Sequence, residues 1–135
     1  MIQAIPVHAA NGSSYKILIV EDHRDSREAL KALFEAFGYQ VTEATNGRDA
    51  VQAAFTERPN LILMDIMMPE MDGFDATRRI RALPGFARTP IIAVTAMEGA
   101  RELALQAGMS DYVRKPVDIR GLLKKVSGLL EPTTA

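Results

Sequence analysis

The sequence predicts an α/β fold: a doubly wound sheet of five parallel strands with five helices across its faces. Three observations point there. Apolar runs at Ile17–Val20, Leu61–Met64 and Ile91–Val94 are short, continuous and rich in branched side chains, as strands covered on both faces are. Amphipathic helical segments alternate with strand segments five times, at spacings of roughly 20 to 30 residues, the rhythm of right-handed βαβ crossovers. The length, 135 residues, suits one domain with a sizeable core.

The elements follow in order. Residues 1–14, ending in Asn11-Gly12-Ser13-Ser14, read as a flexible tail, and so do residues 131–135; one domain is expected across residues 15–130. After the first strand, residues 25–37 place Ala29, Leu30, Leu33, Phe34 and Phe37 on one face of a 3.6-residue period, and Gly38 is suited to capping that helix. A weaker strand candidate spans Gln40–Ala44. A second helix over residues 46–57 presents Ala50, Val51, Ala54 and Phe55, and Pro59 ends it. Residues 74–83 form an amphipathic helix stopped by Pro84-Gly85, with Asp72-Gly73 as the turn before it. An alanine-rich helix is expected over residues 98–107, closed by Gly108. The last strand candidate, Asp111–Val113, precedes a helix whose stripe is Ile119, Leu122, Leu123, Val126, Leu129 and Leu130.

Composition narrows the chemistry. Apolar residues make up 47% and charged residues 24%, an ordinary globular balance. Sixteen basic against seventeen acidic residues give a formal charge of −1, so no electrostatic footprint for nucleic acid is present. Without cysteine, disulfides, thiolate catalysis and cysteine metal sites are excluded. The two histidines, His8 and His23, lie too far apart in sequence to suggest a zinc site. No apolar run approaches the ~20 residues that span a bilayer. Residues 1–14 carry no basic residue and do not resemble a secretory signal, so a cytoplasmic location is expected.

In a doubly wound sheet, ligands gather beyond the carboxyl ends of the strands. There the first strand ends in Glu21-Asp22, the third in Asp65 and the fourth in Thr95, while the fifth leads into Lys115-Pro116. Each has an ordinary explanation alone. Glu21 and Asp22 can favour a helix N-terminus, Thr95 can cap a helix, Lys115 can be a surface lysine, and Asp65 can form a turn. His23 is expected to be an exposed residue opening the first helix. The combination says more. Two carboxylates ~4 Å apart repel by roughly 4 kcal/mol at an effective dielectric of 20. Three acids on one rim therefore need compensation, which Lys115 and a hard divalent cation supply; a shallow, hydrated carboxylate site suits Mg²⁺. An aspartate beside Mg²⁺, a lysine and a hydroxyl can attack phosphorus and form an acyl phosphate.

At this point the chain resembles the CheY-like receiver domains of two-component response regulators. The matching segments are Ile17 to Asp22, Met64-Asp65-Ile66-Met67-Met68-Pro69-Glu70-Met71-Asp72-Gly73, Val94-Thr95-Ala96 and Asp111-Tyr112-Val113-Arg114-Lys115-Pro116, in the family's order and spacing. The resemblance implies a flavodoxin-like sheet of strand order 2-1-3-4-5. It implies that Asp65 is phosphorylated, that Mg²⁺ is bound by Asp22, Asp65 and the backbone carbonyl of Met67, and that Glu21 acts on the metal through water. Thr95 and Lys115 would contact phosphoryl oxygens, Tyr112 would be the switch aromatic coupled to Thr95, and the Lys115-Pro116 bond would be cis. The implied partners are a histidine kinase or histidine phosphotransfer domain docking beside the first helix near Asp25 to Lys31. A downstream protein would read the face of helix 4, strand 5 and helix 5, without direct contact to nucleic acid or membrane. Met67 and Met97, two residues past Asp65 and Thr95, hold water poorly, so slow self-dephosphorylation is expected. With five residues after the last helix, a stand-alone receiver or a segment of a hybrid kinase or larger regulator is expected.

Three other classes compete. A pseudo-receiver that is never phosphorylated fits poorly with the intact acid, threonine and lysine set. A haloacid-dehalogenase-type phosphatase places a second aspartate where this chain has Met67. A flavodoxin needs a phosphate cradle after the first strand, where Glu21-Asp22 repels phosphate.

Overall fold

The computed structural model describes residues 15–131. The expected tail at residues 1–14, with His8, lies outside the described residues, as does the C-terminal tail beyond Glu131. Five strands and five helices alternate: β1 (Lys16–Val20), α1 (Arg24–Ala36), β2 (Gln40–Ala44), α2 (Gly47–Glu57), β3 (Leu61–Met64), α3 (Gly73–Arg81), β4 (Ile91–Thr95), α4 (Arg101–Ala107), β5 (Asp111–Arg114) and α5 (Ile119–Leu130). The strands pair in parallel in the order β2-β1-β3-β4-β5, as expected.

The period of two along each strand divides the core in two. Leu18 and Val20 of β1, Ile62 and Met64 of β3, and Ile91 and Ala93 of β4 face one cluster, which includes Ala50 and Ala54 of α2, Ile80 of α3 and Ala104 of α4. Their neighbours Ile17, Ile19, Leu61, Leu63, Ile92 and Val94 face the other, with Phe34 of α1 and Leu122, Leu123 and Val126 of α5. All twelve strand side chains are buried, which explains why their sequence reads as continuous apolar runs rather than alternation. Each such Ile or Leu contributes about 1.5–3 kcal/mol by leaving water.

The helix ends follow local chemistry. Asn46 accepts from the Asp49 N–H at 2.8 Å, and Asp72 from the Asp75 N–H at 2.9 Å, so both are N-caps. Gly38, at φ 90°, follows the C-cap Phe37 of α1; its N–H donates to Glu35 O while the Tyr39 N–H donates to Phe34 O. That is a Schellman ending, and the accompanying apolar contact is Phe34 edge-on to Tyr39 at 5.7 Å.

One helix departs from expectation. Its alanine-rich stretch was expected to be helical from residue 98, but α4 begins at Arg101. Gly99 adopts φ +70°, a left-handed conformation that a continuing helix does not contain, so residues 96–100 form a turn beside the site. Similarly α3 stops at Arg81, because Leu83 already donates to Ile80 O in a tight turn.

Candidate functional site

The sheet's hydrogen-bond ladder runs one residue past three strands and so fixes the rim. Glu21 N–H donates to Ala44 O (3.1 Å), Asp65 N–H to Val20 O (3.0 Å) and Lys115 N–H to Thr95 O (2.8 Å). These bonds bring Glu21, Asp22, Asp65, Thr95 and Lys115 from four strand ends to one edge. Carboxylate oxygens of Glu21, Asp22 and Asp65 lie within 4.8 Å of one another. Glu21 and Asp65 are buried, and Asp22 faces solvent.

Lys115 is the cation among them. Its Nζ lies 2.6 Å from Glu21 Oε1 and 3.3 Å from Asp65 Oδ2. Burial alone would favour the neutral amine. The hydrogen bond to Glu21 and the negative fields of Asp65 and Glu21 outweigh it, holding the ammonium above its ordinary pKa. Glu21 is occupied at both oxygens, since Oε2 accepts from the His23 N–H at 3.1 Å. His23 itself is exposed and opens α1 without a side-chain cap.

Asp65 is held from two further directions. Its Oδ1 accepts from the Met67 N–H at 3.1 Å. Gly73, the first residue of α3, donates to Ile66 O at 2.9 Å. A Cβ on Gly73 would lie 2.3 Å from Asp65 O and 2.7 Å from Ile66 Cα, so a side chain is excluded there. The sequence marks Asp72-Gly73 as a turn; the close approach to the Asp65 backbone is the reason for the glycine.

Thr95 is fully buried, and its Oγ1 accepts from the Met97 N–H at 3.2 Å. Tyr112, half-buried, donates its hydroxyl to Met97 O. One peptide residue therefore holds both hydroxyls. Backbone groups carry no residue-specific signal, so Met97's bridging place was not legible in the sequence. Arg101 stacks over the Tyr112 ring at 5.7 Å. The Lys115-Pro116 bond is cis.

The all-oxygen donor set, with Asp22 open to solvent and two buried acids behind it, fits a hard divalent cation. Among the described residues, no helix is long and apolar enough to cross a membrane.

Comparison with known proteins identifies the family. The family model of the response regulator receiver domain matches residues 17–127. PilH of Pseudomonas aeruginosa is 39% identical over 117 residues, covering 85% of this chain and 97% of PilH. The signal transduction histidine-protein kinase BarA of Escherichia coli is 40% identical over 116 residues, 84% of this chain and 13% of that protein. Among solved structures, the receiver domain of a sensor histidine kinase from Pseudomonas aeruginosa, with magnesium coordinated in its active-site cleft, superposes with a TM-score of 0.81. It is 40% identical and covers 87% of this chain and 98% of its own. With a buried aspartate at the carboxyl edge of a 2-1-3-4-5 sheet and these relatives across most of its length, the chain belongs to the response regulator receiver domain family.

Proposed function

We propose that Asp65 is the phosphoacceptor of this receiver, taking a phosphoryl group from a phosphohistidine. The observation that carries the reading is the placement of Asp65: a buried carboxylate 3.3 Å from the Lys115 ammonium, within a three-acid cluster. In the transfer, an Asp65 oxygen bonds to phosphorus as the P–N bond breaks, and the departing imidazole keeps the electron pair. Lys115 turns from Glu21 and Asp65 toward the incoming phosphoryl oxygens. Thr95 Oγ1 already accepts from Met97, which leaves its proton free for a phosphoryl oxygen.

Asp22, Asp65 and the Met67 carbonyl would hold Mg²⁺, with Glu21 acting through water because Lys115 and the His23 N–H already occupy its oxygens. When bound, the ion neutralises charge on the transferring group. Tyr112 is the proposed switch. A pull on Thr95 moves Met97, whose carbonyl anchors the Tyr112 hydroxyl, and the motion reaches the face of α4, β5 and α5 where a downstream protein would bind. The phosphohistidine donor, a histidine kinase or phosphotransfer domain, would dock on α1. An apolar groove of about 260 Å³ lies there, lined by Ala29, Leu30, Leu33, Pro116 and Ile119, and it opens beside Lys115. Residues 15–130 act as one cytoplasmic domain that catalyses only its own phosphorylation and dephosphorylation. Met67 and Met97 make the latter slow.

Intact-mass spectra after incubation with acetyl phosphate, with and without Mg²⁺, test this. One labile adduct that needs Mg²⁺ and is missing from Asp65→Asn is expected. Phosphorylation of Asp65→Asn to the same extent would sink the assignment. A folded protein that takes no phosphoryl group from acetyl phosphate or from histidine kinases would favour the pseudo-receiver.

A further inference from the structure

Seven methionines occur in the chain, and the six among the described residues differ sharply in exposure. Met64, Met68 and Met109 are buried at 0%, 8% and 3%. Met71 and Met97 are half-buried, and Met67 stands 53% exposed. Among the described residues, then, the one exposed thioether belongs to the residue whose N–H donates to Asp65 Oδ1 at 3.1 Å. That bond sets the Met67 backbone directly beside the Asp65 carboxylate, with its side chain in the solvent at the edge of the site. A large apolar side chain in solvent is usually explained by an apolar patch it joins. Here the chain neighbours Pro69 and Glu70 are exposed as well, and the nearest site group is the Asp65 carboxylate.

We infer that Met67 is a site of reversible oxidation by hydrogen peroxide, and that its sulfoxide shortens the lifetime of the phosphorylated state. The inference rests on Asp65 being the phosphoacceptor. The chemistry balances simply. The sulfur lone pair bonds to a peroxide oxygen as the O–O bond breaks. The hydroxide released takes the proton from the transient S–OH cation, leaving a sulfoxide and water. Sulfur is oxidised by two electrons and the peroxide is reduced by two; a thiol-dependent sulfoxide reductase restores the thioether. Thioether sulfur is a weak acceptor, whereas the sulfoxide oxygen is a strong one. Oxidation therefore puts a strong hydrogen-bond acceptor at the end of a side chain that otherwise offers only a weak one. That acceptor can hold the water that attacks phosphorus while the Asp65 carboxylate leaves. One net hydrogen bond gained in the transition state corresponds to about a fivefold faster hydrolysis.

The experiment compares phosphoryl lifetimes before and after mild peroxide treatment. Oxidised and untreated chains are phosphorylated with acetyl phosphate and Mg²⁺, desalted, and followed by intact mass, with oxidation mapped by peptide mass spectrometry. Met67 is expected to oxidise ahead of every buried methionine, with the half-life falling about fivefold and recovering after methionine sulfoxide reductase. The ratio of treated to untreated half-lives should be close to one in Met67→Leu. Met67→Gln, which carries a permanent acceptor, should be faster than Met67→Leu without any peroxide. Full oxidation at Met67 with an unchanged half-life overturns the inference, and so does an equal peroxide effect in Met67→Leu. If the untreated chain takes no phosphoryl group from acetyl phosphate or from histidine kinases while Met67 still oxidises first, the phosphoacceptor reading fails and this one with it.

Discussion

Replacing either of two helical glycines by alanine should give opposite results. At Gly73 the added Cβ meets the Asp65 carbonyl oxygen at 2.3 Å and Ile66 Cα at 2.7 Å. Ordinary contact is about 3.5–4.0 Å between carbons, so α3 or the loop behind Asp65 must retreat by about 1 Å. Both contacts are backbone and cannot rotate away. Such overpacking costs about 1–3 kcal/mol, against which the helix propensity of alanine returns about 0.5–1. The clash wins, and Gly73→Ala should lose about 1 kcal/mol net. At Gly128 in α5 nothing among the described residues lies within 4 Å of an added Cβ, so the propensity acts and Gly128→Ala should gain about 0.5–1 kcal/mol. For a domain of this size each kcal/mol moves Tm by about 3–5 °C. Calorimetry should therefore find Gly73→Ala about 3–5 °C lower and Gly128→Ala about 2–4 °C higher. Because the retreat displaces Asp65, Gly73→Ala should also accept phosphoryl groups at least tenfold more slowly, misplacement by ~1 Å being worth up to ~10² in rate. A Gly73→Ala protein as stable and as readily phosphorylated as the parent would refute the reasoning.

Other sites give further expectations. The Thr77 hydroxyl in α3 is buried without a partner among the described residues, so the isosteric Thr77→Val should raise stability by about 1 kcal/mol in urea unfolding. Arg81 donates to three carbonyls, Gly108 O at 2.9 Å, Phe86 O at 2.7 Å and Thr89 O at 2.6 Å. Arg81→Ala leaves all three unpaired and should cost about 2–4 kcal/mol in the same assay. Asp111 lies 3.0 Å from Lys125 and 3.8 Å from Arg101. Burial opposes its ionisation, but the Tyr112 N–H and these cations outweigh that and hold the carboxyl below its ordinary value. Its contribution is complete above about pH 3.9 and lost as pH falls through the depressed folded value, so Asp111→Asn should flatten the acid limb of a stability–pH curve. Tyr39, raised to about 12 by burial and the nearby Glu131, acts at the opposite end. Its stabilisation should fade as pH rises from about 10 to 12, and Tyr39→Phe should remove that loss.

Much of this was legible in the sequence because a doubly covered parallel sheet has a strong signature. Ile17–Val20, Leu61–Met64 and Ile91–Val94 have no face open to water, so their runs stay apolar throughout. The rim residues were legible for a related reason: an acid directly after Leu61–Met64 must emerge at the sheet's edge. What stayed hidden depends on contacts between distant parts of the chain. Arg81 sits at the end of an amphipathic helix and reads as one more surface arginine; nothing local says that carbonyls of Phe86, Thr89 and Gly108 will surround it. The early start expected for α4 failed because alanine content favours helix while Gly99, one residue, takes a left-handed turn. The pairing of Glu21 with Lys115 is not written in either neighbourhood.

That pairing joins residues 94 positions apart, the first site acid to the last site cation. Its consequence is temporal. A chain emerging from the ribosome makes Glu21 and Asp22 first, Asp65 later and Lys115 last of the four, and β5, which holds Lys115 in place, is an edge strand that among the described residues pairs only with β4. Until that strand zips onto the sheet, the acids have no lysine among them. The charge balance of the rim thus arrives with the completion of the sheet.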